Sequence, residues 1–190
     1  MRKVFAFLIL TLLTAPLCAQ QKTLIEGPFD HGFFGGVTIN TTITDGGPVI
    51  LTGGRLGLIF DRRLIVSGGL YRTNTESSLN GFLDYNLRYG GVELEFVSGP
   101  DRLIHLDLYT LVGAGFLDYK ERLWDDEERS RVDDFLIIKP GIMLEANITE
   151  SIRGGIGIAY DYLIGIYHDG EYREDFNGPQ LIFSAKFGEF

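Results

Sequence analysis

His105 and Asp107 stand two residues apart, and Tyr109 follows at the same interval. In an extended chain this spacing puts all three side chains on one face. A carboxylate next to an imidazole can orient it as a general base. No nucleophile falls at a spacing that would complete such a site, so a hydrogen-bond network is the plainer reading. A second concentration of reactive groups runs from Glu121 to Asp134. Seven acids (Glu121, Asp125, Asp126, Glu127, Glu128, Asp133, Asp134) face only Arg122, Arg129 and Arg131 there, and Trp124, the sole tryptophan, sits among them. Carboxylates so placed suit a hard cation such as calcium bridging to anionic lipid, or a protein or surface partner at Trp124, Asp125, Asp126, Glu127 and Glu128. The spacing is not that of an EF-hand, and plain solvated loop charge explains it as well. Gly154-Gly155-Ile156-Gly157 lacks the spacing of a dinucleotide loop. The sequons at Asn40 and Asn147 fall in a strand and a tight turn and carry no information. No cofactor motif and no metal-ligand set is present.

The elements that must position these groups are bounded by composition. The chain has 190 residues, enough for one domain, with a net charge of −9. An acidic chain with pI near 4.8 is a poor nucleic-acid binder, because no basic patch can release phosphate counterions. A single cysteine excludes a disulfide framework and a cysteine-based zinc site. Hydrophobic content of 45% with 13% aromatics excludes disorder.

Residues 1–19 read as a cleaved secretory signal. Arg2 and Lys3 form a positive start, Val4 to Leu13 an apolar stretch too short to span a bilayer, and Ala15 to Ala19 the cleavage region. Leu17 before Cys18 does not fit a lipidation site. Without Arg2 and Lys3 the charge becomes 15 − 26 = −11, and no cysteine remains. Residues 20–190 are then one domain.

That domain shows alternation with period two, broken by turn residues, which marks half-buried strands. Eight strands are predicted, at 33–43, 48–60, 64–73, 81–97, 103–119, 134–148, 152–164 and 179–187. Most reach about ten residues, enough to cross a bilayer when tilted. The links at 61–63, 98–102 and 149–151 are tight, whereas 74–80, 120–133 and 165–178 are long and polar. Asymmetry of this kind marks an up-and-down meander with short periplasmic turns and longer outer loops.

Parity separates two faces on each strand. Ile104, Leu106, Leu108, Val112 and Phe116 oppose His105, Asp107 and Tyr109, and Leu136, Ile138, Ile142 and Leu144 oppose Lys139 and Glu145. If the polar faces turn inward, the lumen holds Arg55, Lys139, Arg153 and Lys186 against Glu93, Glu95, Asp107, Glu145 and Asp161, with His105 beside them. Such near-cancellation is what a paired interior needs. Glycines on the same face, among them Gly57, Gly113 and Gly157, would leave room for long charged side chains. Phe60, Phe96 and Phe187 mark one end of the apolar face, and Phe82, Phe116, Tyr160 and Tyr162 the other, as in the two aromatic girdles of a membrane barrel. The predicted fold class is therefore all-β, an eight-stranded antiparallel up-and-down transmembrane β-barrel.

Several stretches carry a resemblance. They are Gly53 to Arg63, Tyr89 to Phe96, Lys139 to Thr149, and the ending from Gly178 to Phe190. The chain resembles uncharacterised outer-membrane β-barrel proteins of Bacteroidetes-type bacteria, in the broad OmpA/OmpX-like superfamily. The resemblance implies an eight-stranded barrel in the outer membrane and brings no catalytic residues. It also implies a terminal assembly signal, read here at Phe183, Phe187 and Phe190. Phe187 is in phase with the apolar face and Phe190 is out of phase, so the signal is expected to end at Phe187 with a short tail beyond.

The functional expectation is a non-enzymatic integral barrel in the outer membrane of a Gram-negative bacterium, with a lumen filled by side chains and a structural or loop-mediated role. Its partners would be outer-membrane lipid and, during insertion, the barrel-assembly machinery. Two rivals remain open. A soluble exported lipocalin-like barrel would bind a small ligand in an apolar interior. A barrel enzyme acting on envelope lipid would need its chemistry near the outer leaflet, whereas His105 lies at the start of its strand near the short-turn end.

Overall fold

The computed structural model describes residues 31–44, 47–74, 77–79, 83–122, 128–165 and 177–190. The expected signal at residues 1–19 lies outside these. Among the described residues there is no helix, and nine strands form one sheet. They are β1 (His31–Thr44), β2 (Gly47–Phe60), β3 (Leu64–Thr73), β4 (Ser77–Leu79), β5 (Leu83–Ser98), β6 (Ile104–Arg122), β7 (Glu128–Thr149), β8 (Ile152–Ile164) and β9 (Gly178–Gly188).

Eight of them close a barrel. Each long strand pairs antiparallel with its neighbours in sequence, β3 pairs with β5, and β9 returns to pair with β1. Closure leaves no edge of unpaired backbone groups. The stagger follows from the registers. A path from His31 through Phe60, Leu64, Phe96, Leu108, Ile142, Ile158 and Leu181 re-enters β1 at Thr41, ten residues from where it left (41 − 31). Eight staggered strands tilt to the axis and enclose an interior that side chains alone can fill.

Three links at one end are short. Between β2 and β3 the carbonyl of Phe60 accepts from the Arg63 amide at 3.1 Å, and Asp61 and Arg62 both adopt positive φ. That is the backbone of the hairpin turn whose twist matches its strands. An ion pair of 2.5 Å between Arg62 and Asp101 links this turn to the next.

Two expectations at the other end are corrected. Residues 74–80 were expected as loop, yet Ser77–Leu79 forms β4, which folds back on β5. Residues 120–133 were also expected as loop, yet β6 and β7 stay paired out to Arg122 opposite Glu128. A hairpin ladder needs no lipid to continue. The register sets Glu121 opposite Arg129 and Arg122 opposite Glu128.

Inward residues carry odd numbers on β2, β3 and β5 to β8 and even numbers on β1 and β9. The outward face is apolar and bare: Leu56, Leu70, Val112, Leu136, Ile158 and Phe187 are all exposed, Leu56 by 74% and Leu70 by 75%. The inward face is buried and holds Arg55, Glu93, Glu95, Asp107, Lys139, Glu145, Arg153, Asp161 and Lys186.

Candidate functional site: the lumen

The lumen is built in layers. At the short-turn end Phe34, Ile59, Ile65 and Val97 cluster, and Phe190 packs against them. Next comes a charged layer. Beyond it, toward the long-loop end, Val49, Leu51, Leu87, Leu111, Leu117, Phe135, Ile137 and Leu163 form a second apolar cluster with Tyr71 and Tyr89.

Burial brings all ten expected lumen residues inside: Arg55, Glu93, Glu95, His105, Asp107, Lys139, Glu145, Arg153, Asp161 and Lys186. They divide into two groups. In the larger, Arg55 pairs with Glu93 and Glu95, each at 2.8 Å. Lys186 donates to Glu95 and lies 2.9 Å from Glu145 and 3.7 Å from Asp107. Arg153 reaches Glu145 at 3.8 Å, and its guanidinium stacks 4.1 Å from the Phe190 ring centroid. His105 Nε2 lies 3.4 Å from Glu145 and 3.7 Å from Asp107. In the smaller group Lys139 meets Asp161 at 3.2 Å and donates to Gln180 at 2.9 Å and to the Tyr89 hydroxyl. Gln180 in turn donates to Asp161 at 2.6 Å. Buried charge is tolerated only when paired in this way.

The tyrosines join the groups. Tyr71 donates to Glu93 and stacks on Tyr89, with ring centroids 4.9 Å apart. Lys139 Nζ sits 5.3 and 4.9 Å from these two rings, within cation–π range. Space for the rings comes from glycine. A Cβ on Gly53 would lie 2.3 Å from the Tyr71 ring, and one on Gly141 would lie 2.4 Å from the Tyr109 ring. Glycine was expected to make room for charged side chains, and at these two positions it makes room for rings.

Sequence reasoning missed Tyr71, Tyr89 and the whole aliphatic layer at the loop end. The signal was present, since Tyr71 shares parity with Ser67 on β3 and Tyr89 shares parity with Glu93 on β5. Phe183 and Phe187 face outward, whereas Phe190 turns under the barrel to floor the lumen rather than trailing from it. Trp124, Asp125, Asp126 and Glu127 lie outside the described residues, and Glu128 begins β7. Phe82 of the expected girdle also lies outside them.

A general-base reading of His105 and Asp107 finds little support in this packing. Glu145, Lys186 and Arg153 surround the pair. His105, Asp107 and Glu145 bring donor atoms within 4.8 Å of one another, a spacing a metal could use. Lys186 and Arg153 already supply positive charge to Glu145, so an added cation would meet two fixed ones.

No family model matches the chain, and no curated protein matches it either. Solved structures do match in fold. The N-terminal β-barrel domain of OprF from Pseudomonas aeruginosa aligns with a TM-score of 0.58 at 8% identity, covering 85% of this chain and 99% of that one. A major outer membrane protein from Thermus thermophilus aligns with a TM-score of 0.52 at 11% identity, over 82% and 98%. Ail, the attachment invasion locus protein of Yersinia pestis, aligns with a TM-score of 0.50 at 14% identity, over 83% and 97%.

Proposed function

We propose, from the closed eight-stranded up-and-down barrel shared with these outer-membrane proteins, a non-enzymatic integral barrel of a Gram-negative outer membrane, plugged through its length and acting through structure or through its loops. The observation that carries this is the direction of the two faces. Glu93, Glu145 and Arg153 point inward and are buried, while Leu56, Leu70 and Ile158 are bare. In water such an exterior would aggregate, whereas in a bilayer it is the required surface. Closure satisfies the backbone, as lipid demands. Outward Phe33, Phe96 and Phe187 lie toward the short turns and Phe116, Tyr160 and Tyr162 toward the long loops, at the levels expected of two interfaces. A soluble ligand-binding barrel would need the opposite arrangement.

Insertion would run through the barrel-assembly machinery, with Phe183 and Phe187 presenting the in-phase signal on β9. The membrane reading is tested by fractionation and by gel mobility. The protein should stay in the outer-membrane pellet after carbonate extraction and run faster unheated than boiled. Release into the soluble fraction would refute it. The plugged lumen is tested in planar bilayers, where a steady large conductance would refute it.

A further inference from the structure

On the outside of the barrel, across β2, β3, β5 and β6, lies a groove of about 510 Å³ with an apolar lining. Its depth comes from Gly54, Gly90 and Ala114, which put at most a methyl group on this outward face. A second groove of about 540 Å³ shares Gly54 and Leu70 with the first and continues past Gly68 to Phe187. The two form one furrow running from the long-loop end toward the short-turn end.

At the loop end of this furrow stand two arginines. Arg72 and Arg88 are directly opposite in the β3–β5 register, and both side chains point outward and are exposed. Like charges so placed repel. Asp118 partly relieves Arg88. Among the described residues the Arg72 side chain has no ion pair and no hydrogen bond. Two guanidinium groups above an apolar furrow form a site for one anion carrying a hydrocarbon tail, because arginine grips phosphate through paired N–H donors. The dimensions agree. Gly68 is four residues below Arg72 on β3, roughly 13 Å along the strand at 3.3 Å per residue, or about 10 Å of depth at a tilt of about 40°, which lies within one leaflet of the ~30 Å hydrocarbon core.

We propose that this furrow binds one phosphorylated lipid of the outer leaflet, its phosphate between Arg72 and Arg88 and an acyl chain along Gly54 and Gly68. The inference rests on the membrane reading above. It assigns a lipid rather than a free anion, because the apolar furrow is continuous with the cationic end. A lipid phosphate would complete what Asp118 does for one arginine only.

The test is native mass spectrometry of the detergent-purified chain, titrated with dipalmitoyl phosphatidic acid, chain-matched diacylglycerol or inorganic phosphate. Two variants accompany it. Arg72→Gln with Arg88→Gln removes the charge. Gly54→Leu fills the furrow, and it should fold normally because a Cβ there meets nothing within 4 Å. The expected result is a single phosphatidic acid adduct, weakened at least about tenfold in each variant, with no adduct from diacylglycerol or phosphate. Equal binding by both variants would overturn the proposal, as would diacylglycerol binding as well as phosphatidic acid. Displacement of the lipid by inorganic phosphate would reduce the site to a bare anion site and overturn it too. The same preparations are run unheated on gels. Loss of the fast band in the parent chain would sink the membrane reading itself, whereas a retained fast band without an adduct sinks only this proposal.

Discussion

Replacing Lys186 with methionine isolates the centre of the lumen. Its ammonium is fully buried, bonded to Glu95, 2.9 Å from Glu145 and 3.7 Å from Asp107. Around it three cations (Arg55, Arg153, Lys186) serve four carboxylates (Glu93, Glu95, Asp107, Glu145), so no spare positive charge exists to take its place. Methionine nearly conserves the volume, and the change is mainly one of charge. Of its partners within 4 Å Asp107 then keeps His105, and Glu145 keeps His105 and Arg153. Breaking one partner out of a buried ion network costs about 3–5 kcal/mol. With a urea slope of roughly 2 kcal/mol/M, that cost moves the unfolding midpoint down by about 2 M. The assay is reversible urea unfolding in lipid vesicles, followed by gel mobility. The double variant Lys186→Met with Glu95→Gln removes charges of both signs and should recover at least about 1 kcal/mol of the loss. A midpoint within about 0.3 M of the parent would refute the claim that Lys186 holds the network together. So would a double variant no better than the sum of its parts.

Gly141→Val would drive a side chain into the Tyr109 ring and should cost about 1–3 kcal/mol, read from the same unfolding curves, with Tyr109→Ala restoring part of it. Phe190→Ala removes the half-buried floor of the lumen and its stacking on Arg153, and should cost about 1–2 kcal/mol of stability without slowing insertion. Phe187→Ala should do the reverse, slowing assembly into vesicles because the ring is outward on β9 and absent from the lumen. His105→Ala with Asp107→Asn should leave the envelope lipid profile unchanged by mass spectrometry, and an altered profile would revive the enzymatic reading.

Period two made the strands legible, because exposed apolar residues alternate with buried ones along β6 to β9. The charges were legible for the same reason: Lys139 or Glu145 interrupts an apolar run in phase with glycine and tyrosine. What parity could not supply was position along the axis. Leu111, Leu117 and Asp107 have the same parity on β6, yet Asp107 belongs to the charged layer and the leucines to the plug beyond it. Only the ten-residue stagger decides which inward residues of neighbouring strands meet. Glu95, for instance, reaches Lys186 across 91 positions of chain because the tilt brings β5 and β9 to one level. Turn residues were a weaker guide at the loop end, where polar composition suggested loop but the β6–β7 ladder persists to Arg122.

The order of the layers bears on what the lumen can do. A column of charge running from end to end would admit water along it, and water between the ions would weaken each pair. Here Phe34, Ile59, Ile65, Val97 and Phe190 close one end, and the aliphatic cluster around Leu111 and Ile137 closes the other. The ion network lies between these clusters with its side chains buried, which raises the cost of leaving any member unpaired. Rigidity of that kind suits a scaffold better than a channel. On the proposed reading two parts of the chain would act: the acidic segment between β6 and β7, and the outer wall where Arg72 and Arg88 stand above their furrow. The first would depend on the acidic run from Asp125 to Glu128, the second on a fixed sheet whose glycines set its depth, so substitutions at one should leave the other unaltered.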